Sequence, residues 1–349
     1  MKSNALVSVL LPAYNAIDHL DRAVQSILQQ TYNNFELIII NDGSQDSTWD
    51  IIKSYKDPRI IGVNFEHNQG LIPVLNHGLG LVRGKYIARM DADDISLPQR
   101  FEKQVAYLEE NIDCGVCGTA IINFCPRGKT QKMAYPCKHR EIIAALNLFE
   151  RNICHPTAML RASILKENSI SYRKEYLHAE DYMLWLDLSR HSRLHNLQEP
   201  LLMYNRHSDQ ISAKHYPAQM ETSRYIIQAQ LKEYLSSDDR KFPENVYVDF
   251  LVQEINGARI GVTETQSRTV YRELLDYVRD SDDIDFTYAK RILLFKAFRA
   301  SFQYKHSVAG KIMNAAACLF ADPKLIFENI SEFVRLALIS RLKPRANSH

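Results

Sequence analysis

Along the N-terminal half, apolar positions fall into short continuous runs that alternate with stretches of helical spacing. Residues 6–11, 35–40 and 60–65 are near-continuous apolar segments of strand length, the pattern of strands covered on both faces. Between them, Leu20, Ala23, Val24, Ile27 and Leu28 make one helical stripe, and Ile51 and Ile52 follow a helix start at Asp46 and Ser47. Residues 71–84 read as a helix with Pro73 in its first turn. Strand, loop and helix, repeated with short connections, predict an α/β fold: a doubly wound, mostly parallel sheet flanked by helices.

A fourth apolar run, from Tyr86, stops at three acids, Asp91, Asp93 and Asp94. Beyond it, 98–110 carries Phe101, Val105 and Leu108 on one helix face, 115–124 reads as a strand, and 126–136 is polar without apolar periodicity. That last stretch is either a mobile lid or a surface hairpin. Residues 141–149 are helical by pattern, Glu180 and Asp181 open an apolar helix, and a strand from Leu201 runs into NRHSDQIS. From about Tyr216 only helical stripes remain. The expected division is a catalytic domain over 1–214 and an all-helical C-terminal region over 215–349.

Composition narrows the class. With 349 residues, 46% hydrophobic and 24% charged, the chain is an ordinary globular protein, and a formal charge of +2 offers no basic surface for nucleic acid. Residues 6–11 are too short for a signal-peptide core and lack a small-residue cleavage site, so a cytoplasmic protein with reduced cysteines is expected. Cys114 and Cys117, with Cys125, Cys137 and His139 downstream, raise a zinc site, but CGVCGTAI alternates like a strand and a second CxxC is missing. In the tail, 308–321 and 333–342 are apolar but interrupted by Lys311, Asn314, Arg335 and Arg341. Both fall short of the roughly 20 residues that span a bilayer. RLALISRLKPR suits either an anionic membrane surface or amphipathic packing on the catalytic domain or on a second subunit.

The acids carry the chemistry. In a strand Asp91 and Asp93 would point the same way, at the end where an open parallel sheet keeps its ligands. Paired carboxylates there suit a hard divalent cation with phosphates completing its shell. Phosphate touching a carboxylate directly would cost on the order of 4 kcal/mol per pair at about 4 Å, so a cation must sit between them. The competing reading is an acidic turn that caps a helix. PAYN, NDGS, NQG and DADD would all lie along one sheet edge, where Asp42 suits a base or ribose donor and Gly43 permits a sharp turn.

The order and spacing of PAYN, NDGSQDST, Asn68 with Gly70, GKYIARMDADD, LPQRFEKQV and AEDYMLWL resemble family 2 glycosyltransferases of the GT-A fold, the group that builds bacterial surface polysaccharides. The resemblance covers residues 6–212 and implies a nucleotide-diphosphate sugar donor, UDP first among them, with single-displacement transfer and inversion. It places Pro12, Ala13, Tyr14, Asn15 and Asp42 around the nucleobase and ribose. Asp91, Ala92 and Asp93 form the DxD-type motif, in which Asp91 meets the ribose or the metal's water shell and Asp93 binds Mn²⁺ or Mg²⁺. Asp181 becomes the general base, with Glu180 orienting it or the acceptor, and Asp94 a supporting acid or a helix cap. His207 would reach the diphosphate or the metal, with Arg206 and Ser212 beside it, and His155 would line the pocket for a saccharide or lipid-linked saccharide. The QxxRW motif of processive synthases is missing, so one sugar per encounter is expected.

Two rival classes remain at this level. A nucleotidyltransferase should carry a Gly-rich basic loop after the first strand, where this chain has PAYN, and a dehydrogenase would need GxGxxG there. A non-catalytic sugar-nucleotide-binding protein would have no use for an intact Asp93 and Asp181.

Overall fold

The computed structural model describes residues 4–124, 130–150, 152–207, 210, 214–234, 242–252 and 264–303. The tail segments after residue 307, the loop tip at Lys129, and Cys125, Ser212 and Cys318 lie outside the described residues. The chain divides into two compact units: 1–142 with 151–222, and 143–150 with the residues from Ser223 onward.

The first unit opens with the alternation foreseen from the pattern: β1 (Val7–Ala13), α1 (Leu20–Leu28), β2 (Phe35–Asp42), α2 (Thr48–Ser54), β3 (Ile60–Phe65), α3 (Leu71–Leu81) and β4 (Tyr86–Arg89). It continues through β5 (Ile95–Ser96), α4 (Arg100–Glu110), β6 (Cys114–Phe124), β7 (Thr130–Met133) and the first residues of α5 (His139–Asn147), whose remainder from residue 143 belongs to the second unit. β8 (Met159–Arg161), α6 (Ala162–Glu167), α7 (Glu180–Ser189) and β9 (Arg193–Asn205) complete it. The strands form one nine-stranded sheet in the order β3-β2-β1-β4-β8-β6-β9-β5, with β7 added on β6. β1 runs parallel to β2 and β4, β2 to β3, and β6 to β9, while β8, β7 and β5 enter antiparallel. The sheet is therefore mixed, with its parallel half carrying the N-terminal loops.

Burial explains this order. β1 and β2 lie inside the sheet and are buried nearly throughout, whereas β3, at the edge, alternates between half-buried and exposed. The α1 stripe of Leu20, Ala23, Val24 and Ile27 is fully buried in the main core. Glu36, near the start of β2, accepts from Ser8 Oγ at 2.5 Å and pairs with Arg83. Burial works against its charge, but those partners outweigh it and hold the carboxyl below its usual range.

Three features depart from the pattern. The polar stretch before Pro136 contains β7, paired antiparallel with the end of β6, so it is a hairpin. β9 begins at Arg193 rather than Leu201, because its first half lies where alternate residues face solvent and therefore reads as polar. β5 and β8 are two and three residues long, too short to leave a periodicity.

The second unit holds residues of α8 (Tyr216–Tyr234) from Ser223 on, α9 (Glu244–Val252), α10 (Glu264–Asp280) and α11 (Phe286–Gln303). Lys296 of α11, 2% exposed, donates to Leu251 O at 2.7 Å and Phe149 O at 3.2 Å and pairs with Glu150 at 3.1 Å. Its ammonium thus fastens 149–150 to the helices of this unit. No helix among the described residues is long and apolar enough to cross a membrane.

Candidate active site

Three loops at the carboxyl ends of β1, β2 and β3 are fastened by backbone and side-chain hydrogen bonds. Asn15, at φ +46°, donates its N–H to Ser44 Oγ, and its side-chain oxygen accepts from the Gln45 N–H, each at 2.9 Å. That left-handed backbone is one that Asn tolerates. Ala16 N–H donates to Thr48 Oγ1 at 2.8 Å, and Ile17 N–H to Asp46 at 3.2 Å. Burial raises the Asp46 carboxyl, but hydrogen bonds from Thr48 and Ile17 prevail and hold it low. Asp42, 4% exposed, accepts from Gln69 N–H at 2.7 Å and Gly70 N–H at 3.0 Å, one on each oxygen. Gly43 sits at φ +64°, and a Cβ there would lie 2.4 Å from the His67 carbonyl carbon. Only glycine fits that approach. Pro12 and Ala13 end β1, while Tyr14 at 47% and Asn68 are exposed on the loops.

The acids follow β4, but not as a strand would present them. β4 stops at Arg89, and Asp91 to Asp94 form a turn closed by Asp94 N–H to Asp91 O at 3.4 Å. The expectation that Asp91 and Asp93 share a strand face is thus corrected: the turn gathers all three acids, with a ligand oxygen of each within 4.8 Å of the others. Ala92, at the middle of the turn, is 9% exposed. Among the described residues this is the one group of His, Cys, Asp and Glu suited to a metal. The described cysteines form no such group: Cys114 and Cys117 are buried thiols on β6.

Charge around the turn is unevenly compensated. Asp91 pairs with Arg89, which is 3% exposed. Burial opposes the charge on Arg89, but Asp91 outweighs it and the guanidinium stays protonated. Burial also raises Asp91, against the pull of Arg89. Asp94, 1% exposed, is pushed well above the usual carboxylate range by burial and then by Asp91 and Asp93, and its Oδ2 has no hydrogen-bond partner. Arg100, fully buried, donates to Arg89 O at 2.8 Å and to Gln104 at 3.1 Å. Burial lowers its guanidinium to about 9. His207 Nε2 lies 2.8 Å from Asp93 Oδ2, and its ring is 5.5 Å from that of His19 at the start of α1. The β1 loop and the acidic turn therefore meet through His19 and His207.

A second acid pair stands at the start of α7, within the electrostatic reach of Arg89. Glu180, 7% exposed, is raised by burial and then by Asp181 to about 7. Asp181 is raised mainly by burial; it accepts from Tyr182 N–H at 2.7 Å and feels the opposing charges of Arg89 and Asp91. His155, 8% exposed, is held neutral by burial and then by Arg89, and its Nε2 lies 2.9 Å from Tyr172 Oη. Tyr172 is pinned by Asn76 of α3, which accepts from its N–H at 3.0 Å and donates to its carbonyl at 2.7 Å. Asp93 is thus linked to the β1 loop through His207 and His19, while Asp181 feels the charges of Arg89 and Asp91. Sequence reasoning passed over Arg89, Tyr172 and His19. Arg89 left a signal, a lone charge inside an apolar strand run, whereas Tyr172 and His19 left none.

A carboxylate cluster past the end of β4, with a raised acid pair at the start of α7, is the setting in which the comparisons with known proteins fall. The family model described as Glycosyl transferase family 2 matches residues 8–168. A glycosyltransferase of Haemophilus influenzae, uncharacterized, is 38% identical over 253 residues, 68% of this chain and 76% of that protein. The Escherichia coli UDP-Glc:alpha-D-GlcNAc-diphosphoundecaprenol beta-1,3-glucosyltransferase WfaP is 29% identical over 66% of this chain and 88% of its own. Among solved structures, S. aureus TarS 1–349 in complex with UDP-GlcNAc matches with a TM-score of 0.57 and 18% identity over 88% of both chains, a likeness of fold. The chain is a glycosyltransferase enzyme of the GT-A fold, and it belongs to glycosyl transferase family 2.

Proposed function

We propose that this enzyme transfers one sugar, with inversion, from a nucleotide-diphosphate sugar to a hydroxyl of a saccharide or lipid-linked saccharide, assisted by a divalent cation. The observation that carries the reading is the pairing of an aspartate cluster within 4.8 Å with a second, raised acid pair whose Asp181 feels the charges of both Arg89 and Asp91. The first suits a cation and a diphosphate; the second suits proton removal on the opposite side of the reacting sugar. The donor set fits Mn²⁺ or Mg²⁺: carboxylate oxygens of Asp91 and Asp93 crowd one point, and imidazole from His207 is at hand. Asp93, Asp91 and His207 would hold the ion, which would supply positive charge to the departing nucleoside diphosphate.

The chain's own residues account for the rest. Pro12, Ala13, Tyr14 and Asn15 flank the nucleobase, with Asp42, Gly43, Asn68 and Gly70 forming the floor on the ribose side. Each Asp42 oxygen keeps a lone pair beyond the backbone bond it accepts. Asp181 takes the acceptor hydroxyl's proton as the new glycosidic bond forms. Glu180 sits beside it in a site so poorly solvated that its own proton is half lost only at about pH 7, which limits repulsion between the two. Neutral His155 and Tyr172 lie on the acceptor side. WfaP, by its name, moves glucose from UDP-Glc onto a diphosphoundecaprenol-linked sugar, which favours UDP and a lipid-linked acceptor here.

Thermal stabilisation by UDP, GDP, CDP and dTDP sugars with Mn²⁺ tests the reading, since a ligand at about 100 times its dissociation constant adds roughly 2.7 kcal/mol. One nucleotide class is expected to stabilise the fold. Asp93→Ala or chelator is expected to weaken donor binding about 10- to 100-fold. Full activity in chelator would remove the cation from the scheme.

A further inference from the structure

On its outer edge, β9 has very little backbone to pair with. β5 contributes Ile95 against Met203 and Ser96 against Leu202, and the Leu97 N–H donates to Leu201 O at 3.0 Å. Past Met203 the ladder on this side ends, yet β9 runs on to Asn205, which is 2% exposed. At that point a side chain takes the place of a strand: Asp94 Oδ1 accepts the Asn205 N–H at 2.9 Å. The preceding residue, Asp93, meets His207 Nε2 at 2.8 Å. On the inner edge, Arg206 N–H donates to Phe124 O at 2.9 Å, so the strand end is gripped from both sides. Residues 93 to 97 thus hold 207 back to 201 in antiparallel order, by side chains at one end and by backbone at the other.

We infer that Asp94 is a positioning residue: its carboxylate substitutes for the missing strand partner of Asn205 and thereby sets His207 against Asp93. The physical need is plain. A buried N–H without an acceptor is costly, so a strand end lacking Asp94 would pull away to find water. His207, two residues further on, would then be placed by its side-chain contacts, Asp93 and the His19 ring among them, without a fixed strand end behind it. Adjacent acids in one turn therefore have different duties: Asp93 faces the ligand and Asp94 faces the strand that delivers the imidazole. The inference rests on the proposed role of Asp93 and His207 toward cation and donor, and its test separates the two.

Hydrogen exchange of the metal-free protein examines the latch without any ligand. Asp94→Ala is expected to speed exchange in peptides over 201–207 about tenfold, while Asp94→Asn, which keeps an acceptor oxygen, leaves it unchanged. Unaltered exchange in Asp94→Ala overturns the inference. If that variant does not fold, Asp94→Ser, whose oxygen falls short of Asn205, provides the same comparison. Titration with Mn²⁺ alone, read by electron paramagnetic resonance, supplies the second arm. Asp94→Ala is expected to weaken binding about tenfold and to add nothing in a His207→Ala background. A full tenfold loss in that background would make Asp94 a cation ligand in its own right and overturn the positioning role. A wild-type protein that binds no Mn²⁺ would refute the cation reading, and the exchange result would still decide the latch.

Discussion

The site has two regions that use the same residue type in opposite ways. On the β1–β3 side, each carboxylate oxygen of Asp42 and Asp46 accepts a backbone N–H, and both residues hold loops in place. On the β4–α7 side, Asp91, Asp94, Glu180 and Asp181 are crowded, poorly solvated and raised. In the proposed function, carboxylates that the protein satisfies build the floor for the donor, whereas Asp91, Glu180 and Asp181, left wanting, serve the cation or the proton. The second group costs stability that the first group and the core must supply.

The sharpest way to break this contrast is Asp181→Asn. It is expected to lower the rate of transfer by about 10²- to 10⁴-fold with donor affinity nearly unchanged, as read by steady-state kinetics beside calorimetric donor binding. A large loss of donor affinity would move Asp181 out of the base role. Next in size is Gly43→Ala on the β1–β3 side. With φ at +64° and the His67 backbone 2.4 Å from the new Cβ, a loss of about 3 kcal/mol or more is expected in denaturant unfolding.

Two gentler changes should have opposite signs. Asp42→Asn turns an acceptor into a donor facing the Gln69 or Gly70 N–H and should cost about 1–3 kcal/mol. Glu180→Gln should stabilise the fold, and only at higher pH. Below pH 4.5, the ordinary value, the carboxyl is protonated folded or unfolded; above it the unfolded chain ionises while the folded one resists until about pH 7. Native stability therefore falls across that window. The gain from Gln opens with it and reaches on the order of 1–3 kcal/mol by pH 8. Melting curves for both variants at pH 4 and pH 8 check the signs, and equal behaviour of the two would erase the distinction between the regions.

How much of this was legible differs by element. β1, β2, α1 and α4 were readable because each buries a full face or stripe, which writes its period into the residues. β5 and β8 were not, since two or three residues carry no period and exist only because neighbouring strands offer them edges. Within the site, the acids were visible by type and position, but their geometry was not: a turn rather than a strand brings Asp91 and Asp93 together. Asp94 reads as a supporting acid or a helix cap, and its partner Asn205 is 111 residues away.

Hydrophobic spacing and the order of the polar loops determined the α/β alternation, the sheet edge that bears the ligands and the residue types available for chemistry, because these follow from local period and from which groups tolerate burial. Tertiary structure decided which carboxylates are satisfied and which are left raised. That depends on backbone N–H groups and charges contributed by distant segments, such as Gln69 to Asp42 and Arg89 to Asp181, whose proximity only the folded sheet creates.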